Sequence, residues 1–156
     1  MDDLTDLAER IARTLQARRE TVAVGESSTG GLISAALLSV PGASAYFYGG
    51  AVVYTPRARR SLLQIPDEAM AGMRSASEPY AALVAETIKA QHRTTWGLAE
   101  TGATGPTGNR YGDAAGHCCL ALAGPLMARK TLETGASDRR KNMQAFAGAA
   151  LELFLV

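Results

Sequence analysis

Residues 114–123, AAGHCCLALA, carry one strongly polar side chain, His117, in an otherwise apolar run. A run this short and this apolar reads as a strand buried on both faces. Such a strand needs a packed layer on each side, so the chain must supply helices for both. The flanking patterns supply them. Leu4, Leu7, Ala8, Ile11, Ala12 and Leu15 recur at helical spacing with charges between them, which makes an amphipathic helix. Residues 21–24, TVAV, read as a buried strand. Ser28 and Thr29 can cap a helix carrying Leu32, Ile33, Ala36, Leu37 and Val40, which stops at Pro41-Gly42. Residues 46–54 read as a strand. Thr55 and Pro56 then suit the cap and first turn of another helix. A short helix and loop over 67–77, a helix over 79–91, a strand over 94–101, an edge strand over 127–133 and a last helix over 138–154 complete the series. Strands alternating with helices predict one α/β domain over 1–156, a three-layer α/β/α sandwich. The adjacent strands at 114–133 make its sheet of about five strands a mixed one.

The totals bound the function. The chain has 156 residues, 47% of them hydrophobic and 20% charged, enough for one real core. The formal net charge is +1, so no global field favours nucleic acid as a partner. No apolar run has the length of a membrane span, and the acidic start, Met1-Asp2-Asp3, does not read as a signal peptide. Cys118 and Cys119 are neighbours in a strand and point to opposite faces, so they do not pair. A reduced, cytoplasmic setting fits that usage. His117 reads as a hydrogen-bonded core residue.

Three stretches stand out as candidates for chemistry. Gly25-Glu26-Ser27-Ser28-Thr29-Gly30-Gly31 lies between a buried strand and a helix, where α/β sheets place ligands. Its hydroxyls and backbone N–H groups suit an anion. The loop from Thr101 to Gly112 carries Gly102, Gly105, Gly108 and Pro106 after another strand. Long glycine-rich loops are entropically costly to order and are commonly functional. Arg57, Arg59 and Arg60 follow Tyr54 near a helix start, where guanidiniums grip phosphate or carboxylate. Together these stretches predict one site for a small anionic molecule.

In this order, Glu26-Ser27-Ser28-Thr29-Gly30-Gly31, Val40-Pro41-Gly42-Ala43-Ser44, Val53-Tyr54, Ser77-Glu78 and Thr101-Gly102-Ala103-Thr104-Gly105-Pro106 resemble the C-terminal domain of the CinA family. The resemblance runs from about Thr5 to the C-terminus. It includes stand-alone members that act as nicotinamide-nucleotide amidohydrolases. It implies an α/β/α domain that forms homodimers, a nucleotide ligand, and no metal or other cofactor. The implied reaction hydrolyses the carboxamide of nicotinamide mononucleotide and releases ammonia. The implied catalytic residues are Ser27 as nucleophile, with Tyr54, Arg59 and Thr101. Glu26, Ser28, Thr29, Gly30, Gly31, Arg57, Gly102, Ala103, Thr104 and Gly105 would line the substrate.

The chain departs from that pattern at one decisive place. After the tyrosine the amidohydrolases read like Ser-Asn-Glu-Ala-Lys, whose lysine is the base. Here Thr55-Pro56-Arg57-Ala58-Arg59 puts Arg59 in the lysine's place. A guanidinium stays protonated near neutral pH and takes no proton from a serine. Two expectations follow: an amidohydrolase that uses another base, or a nucleotide-binding sensor that kept the pocket and lost hydrolysis. In the first, Tyr54 relays or takes the proton, with Arg59 lowering its pKa or holding phosphate; Lys141, in the last helix, is a further candidate substitute base.

Overall fold

The computed structural model describes residues 2–155. Ten main elements follow in chain order: α1 (Asp2–Arg18), β1 (Val22–Glu26), α2 (Leu32–Leu38), β2 (Phe47–Val52), α3 (Pro56–Leu63), α4 (Glu78–His92), β3 (Trp96–Ala103), β4 (His117–Ala123), β5 (Ala128–Glu133) and α5 (Arg139–Phe154). The strands form a single sheet in the order β2-β1-β3-β4-β5. β1 runs parallel to β2 and β3, and β4 runs antiparallel to β3 and β5. The sheet is therefore mixed and the architecture three-layered, as the strand–helix alternation predicts.

Side-chain parity along the strands divides the core in two. Val22, Val24, Leu98, Cys118, Leu120 and Leu122 pack on one face with Ile11, Leu15, Ile33, Leu37, Phe146 and Leu151 from α1, α2 and α5. Ala23, Ala99, Cys119, Ala121 and Ala123 pack on the other face with Tyr80, Val84, Ala85 and Ile88 of α4 and Leu63 of α3. β4 is buried at all seven positions, which the apolar run requires. Cys118 and Cys119 are free thiols in opposite halves of the core. The α4 face of the sheet carries mostly alanines and glycine, so α4 lies close against it. At Gly97 an added Cβ would sit 2.0 Å from the Ala85 carbonyl oxygen and 2.9 Å from Lys89 Cβ. Gly97→Ala therefore forces β3 away from α4. We expect it to cost about 3 kcal/mol, read as a lowered midpoint in urea denaturation.

Local signals at helix starts hold with one exception. Thr55 caps α3 by accepting from the Ala58 N–H, with Pro56 in the first turn. Ser77 caps α4 and Asp138 caps α5 in the same way. The exception is α2. Neither Ser28 nor Thr29 caps it; its N-cap is Gly31, in the left-handed region at φ 107°. Glu26, five residues before Gly31 at the end of β1, does the capping. Its carboxylate accepts the N–H groups of Gly31 (3.1 Å), Ile33 (3.0 Å) and Ser34 (2.8 Å). A carboxylate at a helix start satisfies orphan donors and complements the helix dipole. Strand ends also shift by a few residues: β4 starts at His117 rather than 114, because Gly116 turns the chain at φ 94°.

Candidate active site

β1 hydrogen-bonds to β2 on one side and β3 on the other. Its carboxyl end is thus a topological switch point, where α/β sheets open a crevice. A cavity of about 310 Å³ lies there, lined by Ser27 after β1, Val53 to Pro56 after β2, Arg59 of α3, Ser75, Ala76, Tyr80 of α4, Thr101 and Gly102 of β3, and Asn109 to Tyr111. All three stretches singled out in the sequence reach it. No aspartate, glutamate, lysine or histidine is among its lining residues. Hydroxyls, phenols and two guanidiniums dominate the wall, which favours an anionic ligand.

Ser27 is half-buried, and its backbone is fixed from behind. Its N–H donates to Glu100 Oε1 at 2.9 Å. Glu100 also accepts from the Thr29 N–H at 3.0 Å and contacts the hydroxyls of Ser28 and Thr29. Among the described residues, nothing hydrogen-bonds the Ser27 hydroxyl itself. Ser27 lines the cavity with its hydroxyl unengaged. Thr101 Oγ1 accepts from the Ala76 N–H at 3.1 Å, so its own proton remains available to a ligand. Tyr54 is 59% exposed, and its phenol oxygen accepts from Arg139 at 3.2 Å.

Other expected site residues sit elsewhere. Glu26, Ser28 and Thr29 are buried; they build the loop and do not line the space. Gly30 and Gly31 turn the chain with positive φ on the α2 side. Ala103, Thr104 and Gly105 lie past the lining. The Thr104 carbonyl accepts from Asn142 and the Gly105 carbonyl from Arg139. Arg57 is exposed and outside the cavity lining. Lys141 is likewise exposed and outside it, so it does not stand in for a missing base.

Arg59 does reach the cavity, but it is not a free clamp. It is 6% exposed. Its Nε donates to the Ile65 carbonyl at 3.2 Å, and a terminal nitrogen pairs with Asp67. Asp67 also binds Arg60 at 3.0 Å. That hydrogen bond, more than any other influence, holds the Asp67 carboxyl below its usual range. The guanidinium thus closes the α3–loop corner of the cavity wall.

The outer wall comes from Asn109 to Tyr111 of the 101–112 stretch; Arg74 and Asp113 behind it, and Glu100 behind Ser27, lie outside the expected site residues. Tyr111 lies between Arg74 and Arg110, each with its guanidinium carbon 5.2 Å from the ring centroid. The Arg110 hydrogen bond, aided by Ser75 and by the charges of Arg110 and Arg74, pulls the Tyr111 phenol below its ordinary value. Burial pushes Tyr80 the other way, against the nearby charge of Arg59. Asp113 binds Arg74 through two oxygens at 2.7 and 3.1 Å and accepts from Asn109 at 2.8 Å. Glu100 had one legible signal, a carboxylate inside an otherwise apolar strand. His117 is hydrogen-bonded in the core, as its setting predicts: Nδ1 lies 2.7 Å from Glu133 and Nε2 2.8 Å from the Ala76 carbonyl. Among the described residues, no group of three or more metal-ligating side chains could hold an ion. No helix among the described residues is long and apolar enough to cross a membrane.

Fold and site together define a mixed α/β/α domain with a hydroxyl-rich, carboxylate-free cavity at the switch point of its sheet. Residues 4–156 match the CinA C-terminal domain family, and the chain belongs to that family. It is 36% identical over 148 residues to a CinA-like protein of Anaeromyxobacter sp. (strain K), a match covering 95% of this chain and 36% of that protein. It is 40% identical over 123 residues to a CinA-like protein of Synechococcus sp. (strain CC9902), covering 79% of this chain and 29% of that one. The chain thus spans about a third of the length of such relatives. The crystal structure of the competence/damage inducible protein CihA from Agrobacterium tumefaciens has the same fold, with TM-score 0.91 and 29% identity over 98% of this chain and 94% of that one. A CinA superfamily protein from Escherichia coli matches in fold at TM-score 0.91 and 23% identity, over 97% of this chain and 88% of that one.

Proposed function

We propose that the cavity binds a pyridine mononucleotide with its carboxamide at Ser27, and that the chain hydrolyses that amide. The observation that carries this reading is the Ser27 hydroxyl: unengaged, on a half-buried residue that lines the cavity from a backbone pinned by Glu100. In the proposed step Ser27 Oγ attacks the carboxamide carbon and gives up its proton to a base. The tetrahedral oxyanion collapses, the C–N bond breaks, and the nitrogen leaves protonated as ammonia. Water then cleaves the resulting ester to give the carboxylic acid. Arg110 and the absence of lining carboxylates suit the ligand's phosphate.

The base is the demanding part. Tyr111 lines the cavity, and its phenol oxygen accepts from Arg110 at 3.2 Å, a contact that draws it toward ionisation. We assign it the proton-accepting role. A second reading has its own support: Arg59, in the position of the family's lysine, is tied to Asp67 and Ile65. On that reading the pocket binds the nucleotide and does not turn it over.

Ammonia release from nicotinamide mononucleotide, measured for wild type and Ser27→Ala, separates the two. The enzyme reading expects release by wild type only. Equal inactivity of two folded proteins that both bind the nucleotide by calorimetry establishes the sensor. No binding to either protein removes both readings.

A further inference from the structure

His117 sits beside the cavity without lining it, and its surroundings fix its protonation by geometry. Nδ1 lies 2.7 Å from Glu133 Oε2, and Nε2 lies 2.8 Å from the Ala76 carbonyl oxygen. A carboxylate and a carbonyl only accept hydrogen bonds. Both ring nitrogens must therefore donate, and a ring with two N–H groups is an imidazolium. Either neutral tautomer would turn a lone pair on one of these oxygens.

The groups facing the ring support that charge. From β5 come Glu133, its cross-strand partner, and Thr131. From the 109–113 loop comes Asp113, with an oxygen 3.6 Å from Nε2. Arg74 of the 74–77 segment pairs with Asp113. On β4 itself Cys119 Sγ lies 3.7 Å from Nε2, and α4 contributes Glu78 through Thr131. Glu78, Asp113 and Glu133 outnumber Arg74, so a positive ring offsets part of the cluster's negative charge. Burial works against the charged ring, but the Ala76 carbonyl, Glu133 and Asp113 outweigh it and hold the His117 pKa above its ordinary value.

The held carbonyl belongs to a cavity wall. Ser75 and Ala76 line the cavity. The Ala76 N–H donates to Thr101 Oγ1, another lining group. The Ala76 carbonyl is thus anchored to β4 while its N–H orients a hydroxyl in the site. Arg74 and Asp113 extend the same cluster to Asn109 and Tyr111.

We propose that His117 is a positioning residue of the cavity: as an imidazolium clamped between Glu133 and the Ala76 carbonyl, it holds the wall at Ser75 and Ala76, and ligand affinity falls when it loses a proton. The proposal rests on the cavity being the nucleotide site. The sign follows from linkage. A histidine whose folded-state pKa is raised contributes fully below its unfolded value, and the contribution disappears as pH rises through the folded value.

Calorimetry with nicotinamide mononucleotide from about pH 5.5 to 9, on wild type and His117→Gln, provides the test. NMR of the imidazole resonances runs beside it, with His92→Gln assigning the two histidines. Wild-type affinity should fall about tenfold as His117 deprotonates, the worth of one hydrogen bond to a charged group. His117→Gln should bind at that weaker level across the same range, and ligand should raise the His117 midpoint. Any titration of Tyr111 or of the ligand phosphate remains in both proteins and cancels. The proposal is overturned if His117 titrates at or below an ordinary histidine, or if His117→Gln keeps the wild-type pH dependence. Should the nucleotide fail to bind at any pH, the functional reading falls separately. The Ala76 and Thr101 amide resonances of free wild type then decide: they follow the His117 midpoint if it holds the wall, and stay still if it does not. They decide equally if His117→Gln does not fold.

Discussion

Glu100→Ala should destabilise the fold by about 4 kcal/mol and abolish ligand binding in whatever fraction remains folded. Glu100 is 2% exposed and contacts four donors: the N–H groups of Ser27 and Thr29 and the hydroxyls of Ser28 and Thr29. Alanine leaves those groups without a partner in a space too enclosed for ready rehydration. Unsatisfied buried donors cost more than a net hydrogen bond is worth. The same contacts shape the turn that presents Ser27, so binding is lost with stability. Urea denaturation gives the first effect and calorimetry the second. A cost near that of an ordinary surface substitution would show that the turn is held by something other than this carboxyl.

Hydrogen counting sharpens that prediction. Thr29 Oγ1 lies 2.6 Å from Glu26 Oε1 and 2.8 Å from Glu100 Oε1. One hydroxyl proton serves both contacts, so the two carboxyls compete for it. Glu26 accepts three N–H groups of the α2 start besides, and Glu100 accepts two N–H groups and meets the Ser28 hydroxyl. Burial pushes the Glu100 pKa up, against the hydrogen bonds from Ser28, Ser27 and Thr29. Burial thus shifts Glu100 toward its neutral form. An acid raised in the folded state stabilises fully below its unfolded pKa and loses that contribution as pH rises through the folded value. Glu100→Gln, which is neutral at every pH, should therefore cost less than Glu100→Ala, and it should flatten this part of the stability–pH profile.

The same residue marks the limit of what the sequence discloses. Periodicity and punctuation reveal the helices, the buried β4 and the mixed sheet, because those depend on apolar spacing and on Pro, Gly and capping residues near in sequence. The three stretches that reach the cavity are legible for a related reason: loops after buried strands must meet at a sheet's carboxyl edge. The capping of α2 was not legible. Ser28 and Thr29 have the right chemistry for a cap, but two carboxylates, one of them 71 to 72 residues away in the chain, claim their hydroxyls first. Propensity carries no term for a partner brought in by strand pairing. Arg59 fails the same way: a guanidinium near a helix start reads as a ligand clamp until the fold places Asp67 and the Ile65 carbonyl around it. Asn109, Arg110 and Tyr111 fall in the glycine-rich stretch that the sequence marks for the site, but what orders them, Arg74 laid against Asp113 across 39 residues of chain, is not legible.

Arg59→Lys should raise ammonia release from nicotinamide mononucleotide about a hundredfold, the lower range of what a positioned general base contributes. Arginine at this position holds a fixed fork, donating through Nε to Ile65 and through a terminal nitrogen to Asp67. A lysine has one nitrogen and cannot make both contacts. Asp67 is exposed and has an alternative partner in Arg60 at 3.0 Å, so the exchange strands no carboxylate. The new amine would stand in a wall that holds Tyr54, Tyr80 and Thr101 but no acid. Burial there favours the neutral amine, which can take a proton from Ser27. Adding Asp67→Asn should increase the gain, because it removes the one anion beside the amine that favours its charged form. The stability loss from the missing fork, read by urea denaturation, should appear in Arg59→Lys whether or not activity rises. Destabilised but folded protein with no gain would mean that Ser27 lacks more than a base, and the nucleotide-binding reading without turnover would then stand.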